Sequence, residues 1–109
     1  MKGKIVLIPF PFSNLTTFKR RPALVLLERK NDVVVAFISS KIPVTLEKYT
    51  MLIDITHKDF KQTGLKVSSM IYLDKIATID KKLIKGDLGE IGKGLKKKIN
   101  KNFKKLYRL

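Results

Sequence analysis

Short, almost unbroken apolar runs dominate the first part of the chain. Ile5-Val6-Leu7-Ile8 lies between Gly3 and Pro9. Ala23-Leu24-Val25-Leu26-Leu27 follows Pro22, and Val33-Val34-Val35-Ala36-Phe37-Ile38 follows the charged turn 28–32. Runs of this length, rich in β-branched side chains and closed by turn-forming residues, predict buried strands, the third of them central. Side chains alternate across a strand with period two. Arg21 therefore shares a face with Ala23, Val25 and Leu27, and Ser39 continues the face of Val35 and Phe37. Ser40 continues the opposite face, that of Val34, Ala36 and Ile38. The first two strands are joined by a loop in which Pro9 and Pro11 hold residues 10–12 extended. Polar residues 13–17 follow, and the chain re-enters the sheet at Lys19-Arg20-Arg21-Pro22.

The pattern is weaker beyond Ser40. Residues 41–50 read as a polar loop and 51–55 as a fourth strand. Residues 56–60 read as a helical turn with Thr56 at its N-cap, ended by Gly64. Residues 67–73 and 75–79 predict a fifth and a sixth strand, after which Asp80 caps a turn through Leu83-Ile84. Gly86, Gly89, Gly92 and Gly94 make the next stretch loop-like, anchored by Leu88 and Ile91. From there Leu95, Ile99, Phe103 and Leu106 recur at helical spacing, the stripe of an amphipathic helix. The expected fold class is mainly β with a C-terminal α-helix: a small, strongly bent antiparallel sheet or barrel of about six strands. One domain spans 1–109, with strands within 4–91 and the helix over 93–108.

Composition changes the picture in two ways. A chain of 109 residues buries roughly two-thirds of its unfolded surface, enough for a core without staples. With no cysteine, disulfides and thiolate metal sites are ruled out. No apolar run approaches the ~20 residues of a membrane span. The basic start Met1-Lys2-Gly3-Lys4 precedes an apolar run too short for a signal peptide, so a cytoplasmic protein is expected. The second change is charge: 24 Lys and Arg against 9 Asp and Glu give +15. A lysine-rich surface can reflect source or working temperature. An excess this large favours a footprint for a polyanion or an acidic partner chain, without choosing between them. Eight of the cations fall between Lys93 and Arg108, where there is no acid.

The chemistry open to this chain is narrow. His57 is its one histidine, so a mechanism built on two imidazoles is excluded. The acids are scattered singly, with no D-x-D or E-x-x-H pattern, so neither metal nor cofactor is expected. What is left is arginine and hydroxyl chemistry. Arg21, before Pro22, has a simple reading as a solvated cation at a strand start. Ser39 and Ser40 have one as a strand end. Lys19 and Arg20 suit phosphate positioning or plain solvation. Phe12 and Phe18 suit base stacking, while Phe10 suits the core.

Taken in order, Pro9-Phe10-Pro11-Phe12, Lys19-Arg20-Arg21-Pro22-Ala23-Leu24-Val25-Leu26 and Ile38-Ser39-Ser40 resemble the MazF/PemK toxins (Kid and CcdB-like) of type II toxin–antitoxin systems. Asp59-Phe60, Gly64-Leu65, Ser69, Leu73-Asp74-Lys75-Ile76, Thr78-Ile79-Asp80 and Leu88-Gly89 extend the resemblance over essentially the whole chain. It implies an SH3-like barrel with a C-terminal helix, working as a homodimer. It also implies metal-free endoribonuclease cleavage of single-stranded RNA, leaving a 2′,3′-cyclic phosphate and a 5′-hydroxyl. An acidic cognate antitoxin would wrap over the toxin. The family's catalytic arginine before proline falls on Arg21 and its catalytic threonine on Ser39. Departures are Lys4 in place of the usual acid after Gly3, Ser39 in place of threonine, and Tyr72 where some members carry arginine.

Internal cleavage of RNA requires removal of the 2′-OH proton, stabilisation of a doubly charged phosphorane and protonation of the leaving 5′ oxygen. A guanidinium at Arg21 grips phosphate with a planar fork at any working pH, and a hydroxyl at Ser39 orients it by hydrogen bonding. Lys19, Arg20, Ser40, Phe12 and Phe18 complete the expected RNA-binding set. Two other readings use the same fold: a non-catalytic RNA-binding barrel, and a toxin acting on a non-RNA target such as a topoisomerase.

Overall fold

The computed structural model describes residues 1–9 and 20–109. Phe12, Phe18 and Lys19 of the expected RNA-binding set lie outside the described residues, as does Phe10. The described residues form strands β1 (Lys4–Pro9), β2 (Arg20–Glu28), β3 (Asp32–Ser39), β4 (Thr50–Ile53), β5 (Ser69–Asp80) and β6 (Gly86–Glu90). Helix α1 (Phe60–Thr63) precedes β5, and α2 (Lys93–Leu106) follows β6. The strands form a single antiparallel sheet in the order β4-β5-β3-β2-β1-β6, curled into a half-barrel.

The continuous apolar runs have a direct cause. Both faces of the central strands are buried, and neighbouring residues serve different cores. Ile5, Leu24, Ala36, Ile38, Ile71 and Leu73 pack with Leu95 and Ile99 of α2 on one face. Val6, Ile8, Ala23, Val25, Val33, Val35 and Phe37 pack together on the other. Burial on both faces removes the polar positions that would otherwise alternate with apolar ones.

Two predicted elements differ from the structure. In place of two strands at 67–73 and 75–79 there is one long strand, β5, over Ser69–Asp80. Its register against β3 breaks in the middle: Ala36 pairs with Ile76, but Ile38 pairs with Ile71. The irregularity falls on Tyr72–Asp74–Lys75, where polar residues interrupt the apolar pattern. The sixth strand is instead Gly86–Glu90, read from its glycines as a loop. It pairs with β1 through Lys4↔Glu90 and Ile5↔Gly89. Gly89 is there because the strand runs directly beneath α1: a Cβ would overlap the Gln62 carbonyl oxygen and the backbone of Thr63. On the other side of this contact, Gly64 ends α1 in the left-handed region at φ +73°, and a Cβ there would overlap the Leu88 carbonyl.

The predicted N-cap also moves. Thr56 is not the cap of α1; its N–H and hydroxyl both donate to Asp54 Oδ1, at 2.9 and 3.0 Å. Asp59 immediately precedes α1, but its side chain serves the other helix. Its Oδ2 accepts the N–H groups of Gly94 (3.0 Å) and Leu95 (3.3 Å). The first turn of α2 contains no acid and starts with Lys93, an unfavourable charge at the positive end of the helix dipole. The missing carboxylate is supplied across space by Asp59. The Asp80 turn forms as expected, with Oδ1 accepting the Lys82 N–H at 2.8 Å.

Two stability outcomes follow. Gly64→Ala is expected to lose about 3 kcal/mol or more in urea unfolding, since left-handed strain for a non-glycine residue is about 1–3 kcal/mol before the overlap with Leu88 is added. Asp59→Ala is expected to lose about 1 kcal/mol, as for a removed helix cap, with Asp59→Asn recovering part of it. Wild-type midpoints in either alanine variant would contradict these roles.

Candidate RNA-binding and cleavage site

The site grows from the pairing of β2 with β3. Ala23 faces Phe37 and Leu24 faces Ala36. Continued two residues outward, this antiparallel register sets Arg21 across from Ser39 at the open end of the two strands. Arg21 is held on its other flank by Ile8 of β1. It is half-buried, whereas Arg20, across from Pro9, is exposed. The period-two assignment thus places Arg21 and Ser39 on the same face, beyond the Val25–Ala23 and Val35–Phe37 rows of one core.

Here the surface sinks into a cleft of about 180 Å³ lined by Arg21, Phe37, Ile38, Ser39, Lys41, Tyr72 and Lys75. Among the described residues the lining holds three cations, two hydroxyl-bearing side chains and no carboxylate. Ser39 Oγ accepts the Lys41 N–H at 3.1 Å. That bond fixes the oxygen at the strand end and leaves its own hydrogen available to donate to a phosphate oxygen.

Ser40 lies elsewhere. Strand alternation turns it into a second cleft, of about 420 Å³, with Arg20, Arg21, Lys66 and the apolar side chains of Leu7, Ile38, Leu65, Val67 and Leu88. Arg21 and Ile38 border both clefts. Arg21 therefore sits where a cationic, hydroxyl-lined hollow meets a larger cleft with more apolar side chains. Of the seven side chains expected to act on RNA, the structure brings Arg21 and Ser39 into one cleft and Arg20 and Ser40 into its neighbour.

Lys41, Lys66 and Lys75 were not singled out from the sequence. Lys75 had a usable signal in Leu73-Asp74-Lys75-Ile76, but splitting β5 between Leu73 and Lys75 concealed it. Tyr72, noted as a departure from the arginine of some family members, lines the small cleft, and the Lys75 ammonium lies 4.5 Å from the centre of its ring. His57 takes no part. Its Nδ1 accepts the Asp59 N–H at 3.0 Å, a turn contact before α1. Among the described residues, no three His, Asp or Glu side chains come together as metal ligands. No helix among them is long and apolar enough to cross a membrane.

A third cleft, of about 500 Å³, lies between β2 and α2, lined by Leu24, Leu26, Ile91, Ile99 and Phe103 with Lys2 and Lys96 at its rim. It shares no lining residue with the other two.

The fold is shared with solved toxins. A Mycobacterium tuberculosis toxin, MazF-mt6, superposes with a TM-score of 0.73 at 17% identity, covering 97% of this chain and 97% of that one. An endoribonuclease in complex with its cognate antitoxin, from a mycobacterial species, superposes with a TM-score of 0.69 at 17% identity, covering 96% and 91%. A further mycobacterial endoribonuclease gives 0.66 at 18% identity, covering 96% and 88%. No curated protein matches the sequence. The family model for PemK-like, MazF-like toxins of type II toxin–antitoxin systems matches residues 1–107, and the chain belongs to that family.

Proposed function

We propose that this toxin is an endoribonuclease that cleaves single-stranded RNA without a metal ion, by attack of a 2′-hydroxyl on the adjacent phosphate. The observation that carries this reading is the placement of Arg21 and Ser39 in one carboxylate-free cleft. The 2′-O–P bond forms and the P–O5′ bond breaks, leaving a 2′,3′-cyclic phosphate and a 5′-hydroxyl. One proton leaves the 2′ oxygen and one is gained by the 5′ oxygen. Arg21 grips two phosphate oxygens and offsets the charge that builds on the phosphorane. Ser39 donates a hydrogen bond that fixes the phosphate against it. Without an imidazole to move protons, such a centre is slow beside one built on two histidines.

The same surface accounts for the partners. Arg20, Lys66 and Ser40 line the larger cleft beside apolar Leu65 and Val67, suited to the backbone and a base of an unpaired strand. A net charge of +15 gives long-range attraction for RNA and for an acidic antitoxin alike. The reading includes a homodimer acting in the cytoplasm.

End-mapping of RNA after incubation with the purified protein tests it. Cleavage is expected to persist in EDTA and to leave 2′,3′-cyclic phosphate ends. Arg21→Ala is expected to lower the cleavage rate about 10²–10³-fold, as for removal of an oxyanion donor, with an unchanged melting temperature. Ser39→Ala should lose activity that Ser39→Thr keeps. A strict need for added magnesium would overturn the mechanism. Salt-dependent binding with no new RNA ends would favour a non-catalytic binding barrel. Growth arrest with intact RNA would point to another target.

A further inference from the structure

We propose that Lys75, held in place by the Tyr72 ring, is the second cation on the scissile phosphate. The inference rests on the ribonuclease reading above and extends it to a residue on a different strand.

In a regular strand, residues three apart point to opposite faces. Tyr72 and Lys75 do not, because the register of β5 against β3 breaks between them. Two steps along β3, from Ala36 to Ile38, correspond to five along β5, from Ile76 back to Ile71. The surplus residues bring Tyr72 and Lys75 to the same cleft as Arg21 and Ser39. There the Lys75 ammonium lies 4.5 Å from the Tyr72 ring centre, a geometry in which the electron-rich ring face attracts the cation. Among the described residues, no carboxylate forms an ion pair with Lys75. Its neighbour Asp74 is exposed and does not line the cleft. The ammonium is thus positioned by a neutral ring, which leaves its charge available to an anion.

The chemistry needs such a charge. The phosphorane formed by 2′-oxygen attack bears two negative charges, and a single guanidinium offsets one. Arg21 reaches the cleft from β2 and Lys75 from β5, with Ser39 of β3 between these strands in the sheet order. A phosphate seated on the Ser39 hydroxyl is therefore approached by cations from both sides. Lys75 acts on the non-bridging oxygens and transfers no proton in this scheme. Tyr72 is a positioning residue: it orients the ammonium and does not itself contact the reacting atoms.

The test compares Lys75→Met with Lys30→Met. The latter makes the same charge change at an exposed residue in the β2–β3 turn. The probes are a single-stranded RNA oligonucleotide cut by the wild type and its all-2′-deoxy analogue, which cannot be cut. Lys75→Met is expected to slow single-turnover cleavage about 100-fold. It should lower the salt slope for analogue binding by about 0.7, one phosphate contact on a single strand. Lys30→Met should leave both within twofold of wild type. Lys75→Arg and Tyr72→Phe should retain most of the rate, and Tyr72→Leu should lose it in part. Rates and slopes for Lys75→Met that match Lys30→Met would overturn the proposal. So would equal losses in rate and in analogue affinity, which would leave Lys75 no role beyond ground-state binding. A wild type that cuts no RNA would sink the ribonuclease reading instead, and the salt slope on the analogue would then decide alone whether Lys75 holds phosphate.

Discussion

The register of β2 on β3 is the constraint on which the site depends. Ala23 faces Phe37, and that pair is buried in one core while the next pair, Leu24 with Ala36, is buried in the other. Because both faces are filled, a slip of one residue would drive each row of side chains into the wrong core. The alignment of Arg21 with Ser39 is inherited from this requirement. Two residues beyond the last buried pair, the strands leave the core, and the same alternation that sorted Ala23 from Leu24 sorts Ser39 from Ser40. Arg21 and Ser39 keep their alignment because the packing behind them penalises a slipped pairing.

Much of this was legible in the chain itself. Residues 5–8, 23–27 and 33–38 announce doubly buried strands, and period two separated Ser39 from Ser40; the pairing of Arg21 with Ser39 came from the family resemblance, and the β2–β3 register supplies its geometry. The helical stripe from Leu95 to Leu106 was equally plain, because one side of α2 packs on the sheet and the other does not. Where the reading went astray, a tertiary contact had displaced the local pattern. The glycines of β6 look like a loop until α1 is laid across them: Gly89 lies where any side chain would strike the backbone of Gln62 and Thr63. Asp74 looks like a break between two strands, because a register break inside one long strand leaves polar residues in the middle of it. Asp59 stands just before a short helix, yet its side chain closes a helix that begins far along the chain. No window of neighbouring residues contains these partners.

The departures from the usual family residues acquire a physical sense from the same geometry. A serine in place of threonine at position 39 loses the methyl that restricts its rotamer, but the Lys41 N–H restrains the oxygen instead. A tyrosine at position 72, where some relatives carry arginine, removes a charge from β5. The register break lets that strand present Lys75 to the same hollow. The cleft keeps its cationic character through a different set of side chains.

The outer surface of α2 has a consequence of its own. It holds a run of lysines with no acid among them, so Lys93 and Lys97, Lys97 and Lys101, and Lys101 and Lys105 lie one helical turn apart with like charge. Such pairs repel by a few tenths of a kcal/mol each. The helix is retained by Leu95 and Ile99 in the core and by the remote carboxylate at its start. Its order is therefore tied to its ionic surroundings. By the same electrostatics dilute buffer would loosen it, concentrated salt would quiet the repulsion, and a polyanion stretched along it would turn mutual antagonism into shared attraction and firm the helix.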